Sequence, residues 1–149
     1  MAPLKQKGDR AELEVARDLI RRGFRIAFPY GEDWDFDLIV ARPGRETLER
    51  VQVKYAAAKD GVIEVRPCSH SLTNGRVRRT KMYTATTIDW LAVYDAVTNC
   101  CYYVGAAELG AGMRQLTLRL DPPKNCQHAG IRYASDYVDP EPVVRGRLR

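Results

Sequence analysis

The apolar positions near the start of the chain predict one amphipathic helix, from Lys7 to Arg22. With Val15 set at zero and each residue advancing about 100°, the apolar residues of one face fall between zero and about 140°: Val15, Leu19, Ala16 and Ile20. Gly23 follows where a left-handed cap usually ends a helix. Glu12 falls near 60°, in the middle of the apolar face, whereas Glu14 and Asp18 lie on the polar side. The pattern therefore places one carboxylate, that of Glu12, on a surface expected to face inward.

Short apolar or alternating segments after this helix predict a series of β-strands. In chain order they are residues 24–28, 36–41, 48–55, 62–65, 90–94, 102–104 and 116–120. The turn residues Pro43-Gly44 indicate that segments 36–41 and 48–55 form an antiparallel hairpin. The polar and basic stretch from Cys68 to Thr80 is interpreted as a loop, or a loop with one helical turn. We expect a single domain over residues 1–149, with a loosely held basic tail at about 139–149.

The predicted hairpin brings three polar side chains to one face of the sheet. Symmetric pairing about residues 43–46 places Asp37 directly opposite Gln52. Paired side chains point the same way, with Cβ atoms about 5 Å apart, and strand alternation puts Lys54 on the face of Gln52. Val51, Val53 and Tyr55 then point to the opposite face. Asp37 is therefore predicted to lie beside an amide and an ammonium group.

These residues suit metal-dependent phosphodiester hydrolysis. An inward-facing carboxylate is costly unless it is paired or binds a metal, and both Glu12 and Asp37 occupy such positions. Mg²⁺ takes hard oxygen ligands and often uses only one or two carboxylates. Candidate ligands are therefore Asp37, Glu12, the side-chain oxygen of Gln52 and the carbonyl of Val53. Lys54 would lie near an attacking water or the scissile phosphate, where it could hold the nucleophile or offset developing charge.

Each of these residues also has an ordinary structural interpretation. Glu12 could pair with an arginine, and Asp37 could anchor the turn after Trp34. Lys54 on a strand is usually a solvated residue when it is considered alone. Asp89, which precedes a predicted strand, is expected to be a structural hydrogen-bonding residue. His70 and His128 have no partners at metal-ligand spacing, so both are expected at the surface.

Composition narrows the class of protein. The chain has 149 residues, of which 45% are hydrophobic and 29% charged, as is typical of a soluble globular domain. No apolar run approaches the roughly 18 residues that a membrane span needs, and the first residues have no signal-peptide core, so we expect a cytoplasmic protein. The four cysteines lack C-x-x-C spacing, which argues against a zinc site or a disulfide framework. The net charge of +5 favours an anionic partner without identifying it.

One basic segment is a candidate DNA contact. It carries four cations within six residues: Arg76, Arg78, Arg79 and Lys81. Such a segment is often only a solvated loop, but near a nuclease site we expect it to contact backbone phosphates.

The motif Pro29-x7-Asp37-x14-Gln52-Val53-Lys54 resembles that of the PD-(D/E)XK nuclease superfamily, and Glu12 stands where that superfamily has a helix acid. The resemblance is closest to the small PD-(D/E)XK enzymes encoded in group I introns, and it extends over about residues 7 to 137. It implies an α/β fold with a mixed central sheet flanked by helices. It also implies cleavage of double-stranded DNA with Mg²⁺, for which Mn²⁺ would substitute, by a homodimer or homotetramer.

Two alternatives remain open at this point. Archaeal Holliday-junction resolvases share the early helix and hairpin pattern, so the substrate could be branched DNA. Gln52 stands where the superfamily has its second acid. The intron-encoded branch is similar in using glutamine there, but loss of that acid is also how a nuclease fold becomes an inactive DNA-binding module.

Overall fold

The structure is a computed structural model that describes residues 3–73, 76–125 and 129–141. Its α-helix, α1, runs from Leu4 to Arg21, so it begins earlier than predicted. Gly23 adopts a φ of +88°, and its N–H donates to the carbonyl of Ile20 at 3.0 Å. The predicted left-handed glycine cap is thereby confirmed. No helix in the described part of the chain is long and apolar enough to cross a membrane.

The buried face of α1 is narrower than the apolar pattern predicted. Its buried residues are Ala11, Val15, Ala16 and Leu19. Ile20 was expected on this face, but 58% of it is exposed. The sheet covers an arc centred near Val15 and Leu19, and Ile20 lies at about 140°, beyond the edge of that arc. Glu12 lies within the arc and is partly buried.

Nine strands lie within the described ranges: β1 (Arg25–Ala27), β2 (Leu38–Ala41), β3 (Leu48–Ala56), β4 (Val62–Val65), β5 (Cys68–Thr73), β6 (Arg76–Met82), β7 (Trp90–Asp95), β8 (Cys100–Gly105) and β9 (Leu116–Arg119). Five of them form the central sheet in the order β1-β2-β3-β7-β8. β3 and β7 are parallel, whereas the other neighbours are antiparallel. This confirms the predicted α/β class and mixed central sheet.

Each face of the sheet has its own apolar core, and β3 contributes to both. On one face, α1 packs against Val51, Val53 and Trp90. On the other face, Leu91 and Val93 pack under a small sheet of β4 and β9. Two short 3₁₀ helices, Ala106–Leu109 and Ala134–Tyr137, contribute residues to that second core. Alternation along β3 therefore sends Gln52 and Lys54 to the face opposite α1.

The expectation of a loop from Cys68 to Thr80 is wrong, because β5 and β6 form an antiparallel hairpin. Thr73 pairs with Arg76, so the connection consists of Asn74 and Gly75, which lie outside the described residues. Asn-Gly is the dipeptide most typical of a two-residue hairpin connection. The polar side chains concealed the strands, since backbone pairing does not require an apolar face when that face is open to solvent.

Residues 138–141 are bound to the body of the protein. The Arg42 guanidinium is buried, pairs with Glu49 at 2.9 Å, and donates to the carbonyl of Pro140 at 2.9 Å. The Arg22 side chain donates to the carbonyl of Val138 at 2.9 Å. The remainder of the predicted loose tail, residues 142–149, lies outside the described residues, as do Cys126 and His128. Cys68, Cys100 and Cys101 carry free thiols.

Candidate active site

The β2–β3 hairpin has the predicted register. Leu38 pairs with Val51, Ile39 with Arg50 and Val40 with Glu49, which places Asp37 immediately before β2, opposite Gln52. The Asp37 N–H donates to the carbonyl of Val51 at 2.8 Å. The Val53 N–H donates to the Asp37 Oδ2 at 2.9 Å. The backbone of β3 therefore fixes both the position and the orientation of the Asp37 carboxylate.

Glu12 reaches Asp37 from α1. The pKa of Glu12 is raised from 4.5 to about 7, mainly by burial, then by the charge of Asp37, a hydrogen bond with Asp37 and the charge of Asp9. Burial also raises the pKa of Asp37. Three weaker effects lower it: the hydrogen bond from the Val53 N–H, the hydrogen bond with Glu12 and the charge of Lys54. In the described part of the chain, the partner of Glu12 is thus another carboxyl group and not an arginine. Two facing carboxylates repel each other unless a proton or a cation lies between them.

A cavity of about 230 Å³ opens at these two carboxyl groups. Its lining includes Glu12, Asp37, Pro29, Trp34 and Phe36. Since a water molecule occupies about 30 Å³ in the liquid, the cavity has room for a hydrated cation. Within the described residues, no three His, Cys, Asp or Glu side chains converge, so a metal here would have two carboxylates and neutral ligands. That donor set fits Mg²⁺, which keeps several waters and uses one or two carboxylates.

Gln52 is buried, with 7% of its surface exposed. Its Nε2 donates to the Val53 carbonyl through a long hydrogen bond of 3.4 Å. The two neutral groups predicted as metal ligands therefore lie side by side. Because Nε2 is the donor in this contact, Oε1 is the side-chain atom of Gln52 that a cation would bind.

Lys54 is held on the same side of the sheet by groups that the sequence did not indicate. Its Nζ donates to the backbone carbonyl of Cys68 in β5 at 2.9 Å. It also lies 5.4 Å from the ring centroid of Tyr83, a side chain that is only 5% exposed. Burial lowers the pKa of Lys54, while the charges of Cys68 and Asp37 act in the opposite direction. The structure thus brings Glu12, Asp37, Gln52, Val53 and Lys54 together.

The segment predicted to contact DNA is placed on β6. Arg76 is exposed, and the side chains of Arg78 and Arg79 lie outside the described residues. Lys81 forms an ion pair with Asp35 at 2.5 Å, which joins β6 to the loop that precedes Asp37. Asp35 is therefore bound to a cation of the protein itself.

The other residues considered from the sequence have structural contacts. Asp89 accepts hydrogen bonds from the Arg50 backbone at 2.6 Å and from the Arg50 guanidinium at 3.1 and 3.2 Å, which confirms its structural role. His70 is exposed, and its Nδ1 lies 3.0 Å from the Thr80 hydroxyl. The residues that the sequence did not reveal are Tyr83 and Cys68. The Asn74-Gly75 dipeptide was a signal for the β5–β6 hairpin, but not for its contact with Lys54.

Comparison with known proteins agrees with the fold. A family model described as PD-(D/E)XK endonuclease matches residues 3–140. Among solved structures, the bacterial homing endonuclease I-Ssp6803I is similar, with a TM-score of 0.70 and 20% sequence identity over 91% of this chain and 88% of that chain. Among curated proteins, none matches the sequence. Because the family model covers nearly the whole chain, this protein belongs to the PD-(D/E)XK endonuclease family.

Proposed function

We propose that this protein is an Mg²⁺-dependent endonuclease that hydrolyses phosphodiester bonds in double-stranded DNA. The observation that carries the proposal is the facing pair of Glu12 and Asp37 in a cavity, with Lys54 fixed on the neighbouring part of β3. Family membership supports nuclease chemistry. The likeness to a homing endonuclease supports duplex DNA as the substrate.

In this proposal the chain's own groups divide the work between holding a cation and stabilising charge. Asp37 and Glu12 would hold Mg²⁺, with the Gln52 side-chain oxygen and the Val53 carbonyl as neutral ligands; Mn²⁺ has similar ligand preferences and is expected to substitute. When bound, the metal supplies Lewis-acid polarisation of the phosphate and a more acidic water. The Val53 N–H keeps Asp37 oriented. Glu12 must release its proton before both carboxylates can act as anionic ligands.

Lys54 supplies a fixed positive charge. Its ammonium is oriented by the Cys68 carbonyl and the Tyr83 ring, so its position does not depend on the substrate. A cation that is already in place needs no reorganisation when negative charge develops on the phosphate. The proposed role of Lys54 is therefore to hold the attacking water or to stabilise the transition state.

We further propose that the enzyme acts as a homodimer or homotetramer. One site cuts one strand at a time, so paired cuts in a duplex are most simply made by two subunits related by symmetry. The number of subunits can be measured by sedimentation or light scattering with and without DNA.

The test of the proposed function is incubation of the protein with linear, supercoiled and four-way junction DNA, in Mg²⁺, in Mn²⁺ and in EDTA. Cleavage of the duplex substrates in either metal, and none in EDTA, is the expected result. The control is Asp37→Asn, which keeps the shape of the side chain and removes its charge. Its rate should fall below about a tenth of the parent rate, because metal-bound charge stabilisation is lost.

Three outcomes would overturn parts of the proposal. Cleavage of the junction alone would identify a resolvase-like substrate. Cleavage by Asp37→Asn at the parent rate would remove Asp37 from the mechanism. An inactive parent protein that becomes active on Gln52→Glu substitution would identify a decayed nuclease that only binds DNA.

A further inference from the structure

A second cleft, of about 620 Å³, opens between the β5–β6 hairpin and the segment that precedes β9. Arg66, His70, Thr80 and Met82 line one side, and Arg114 lines the other. It is larger than the cavity of about 230 Å³ at Glu12 and Asp37. Neither the family motif nor the basic segment of residues 76–81 explains why two arginines meet here.

The charge of this cleft suits an anion. Arg66 and Arg114 are both exposed, and in the described part of the chain neither side chain forms a hydrogen bond or an ion pair. The described residues that line the cleft include no Asp or Glu. By contrast, Arg42, Arg50 and Arg132 are each paired with a carboxylate. Two unpaired guanidinium groups facing one cleft present the planar donors that phosphate groups accept.

The two sides of the cleft are held in place by close backbone packing. Gly112 adopts a φ of +137°, and a Cβ built on it would lie 2.9 Å from the Cβ of Met82. The segment that carries Arg114 therefore passes against β6 more closely than any other residue would allow. On the other side, Arg66 precedes the buried Pro67, and the Cys68 N–H donates to the Arg66 carbonyl at 2.8 Å. The fold therefore fixes the backbone positions from which the two arginines extend.

The cleft begins beside the candidate active site. Cys68 lines it, and the same residue's carbonyl accepts the hydrogen bond from Lys54 at 2.9 Å. Cys68 therefore lies between Lys54 and the cleft, at the point where a strand with its scissile phosphate at Lys54 would pass into the cleft.

We propose that this cleft is a channel for the DNA backbone next to the scissile bond, with Arg66 and Arg114 as phosphate contacts. The inference rests on the proposed function, since it takes DNA as the substrate. It adds two phosphate contacts, Arg66 and Arg114, that lie outside the predicted basic segment of residues 76–81. It also accounts for the position of β5, which holds Lys54 on one side and borders the channel on the other.

The test measures DNA binding without cleavage. The affinity of the protein for a fluorescent DNA duplex is measured by anisotropy in EDTA over a range of salt concentrations. The double variant Arg66→Ala/Arg114→Ala should reduce the slope of log affinity against log salt by nearly 2, at about 0.9 for each phosphate that the protein no longer neutralises. The variant Arg66→Lys/Arg114→Lys should keep most of the slope, because lysine also neutralises a phosphate.

A matched control removes the same charge elsewhere. Arg25 and Arg45 are exposed and lie at the end of the β1–β2–β3 unit remote from Asp37, so Arg25→Ala/Arg45→Ala should leave the slope at the parent value. Thermal melts check that each variant is folded. If the alanine variant melts early, Arg66→Gln/Arg114→Gln replaces it, since glutamine keeps a long polar side chain at both exposed positions.

The outcomes separate this proposal from the proposed function. A parent protein that cuts DNA, with an unchanged slope in the arginine variants, would overturn the channel and leave the enzyme. If the arginine variants reduced the slope but the parent protein cut no DNA, the result would support the channel and overturn the enzyme. An equal fall in slope in the control would overturn the channel by showing only a general effect of charge, and a parent that binds no DNA would overturn both.

Discussion

Substitution of Glu12 by glutamine provides a test of the site that does not depend on catalysis. The pKa of Glu12 is raised from 4.5 to about 7 because it is partly buried and faces Asp37. The folded protein therefore holds the Glu12 proton more tightly than the unfolded chain does. The protonated Glu12 side chain therefore contributes its full stabilisation of the folded state below about pH 4.5. This contribution is lost as the pH rises towards about 7 and Glu12 ionises. Glutamine resembles the protonated form at every pH.

The size of the effect follows from the difference between the two pKa values. At about 1.36 kcal/mol per pH unit, a rise from 4.5 to about 7 corresponds to at most about 3 kcal/mol. Because Glu12 is only partly buried, solvent screening reduces this to about 1–2 kcal/mol. In metal-free buffer, Glu12→Gln should thus match the parent near pH 4.5 and exceed its free energy of unfolding by about 1–2 kcal/mol at pH 8.

The assay is urea unfolding in EDTA at several pH values between these limits. Glu14→Gln, on the polar side of the same helix, controls for the loss of one negative charge from α1. Added Mg²⁺ should stabilise the parent at pH 8 more than it stabilises Glu12→Gln, because one anionic ligand is missing from the variant. If the difference between Glu12→Gln and the parent did not change with pH, the electrostatic reasoning about the Glu12–Asp37 pair would be refuted.

Other substitutions test the rest of the site and the fold. Gln52→Ala should slow cleavage by about an order of magnitude or more and raise the Mg²⁺ concentration needed for cleavage, whereas Gln52→Glu should retain metal binding. If the cleavage rates of parent and variants depended identically on Mg²⁺ concentration, Gln52 would not be a metal ligand. Tyr83→Leu should lower kcat severalfold with little change in KM, because the ring that orients Lys54 is removed. Tyr83→Phe keeps the ring and should keep most of the rate. Equal rates in the two variants would contradict the role of the ring in orienting Lys54. Arg42→Ala leaves Glu49 buried without its cation and should cost about 3 kcal/mol in urea unfolding; a decrease below about 1 kcal/mol would show that the pair contributes little.

The parts of the site that depend on local pattern are predictable from the sequence. The period of α1 identifies Glu12, since a carboxylate in an apolar stripe stands out on a helical wheel. The register of the β2–β3 hairpin follows from its turn residues and from the requirement that apolar side chains face inward. Local pattern alone therefore places Asp37, Gln52 and Lys54 on one face.

The parts that depend on contacts between distant segments are not predictable in this way. Lys54 is bound by Cys68 and lies against Tyr83 because the base of the β5–β6 hairpin comes within reach of its long side chain. No periodic signal in β5 or β6 reveals that contact. The pairing of Ile63 with Leu118 closes the second core, which a strand pattern cannot specify. Arg66 and Arg114 likewise approach one another only in the folded chain.

The parallel pairing of β3 with β7 has a consequence for how the chain folds. Val51 pairs with Trp90 across a connection that contains all of β4, β5 and β6, whereas α1 and the β2–β3 hairpin are neighbours in sequence. Closing a long loop costs chain entropy before any contact compensates for it, and sheets with distant pairing fold slowly. The expected order of events is therefore early association of α1 with the hairpin, followed by slow insertion of β7 beside β3. Glu12 and Asp37 would meet in the early unit, while the groups that orient Lys54 would arrive with the later segments.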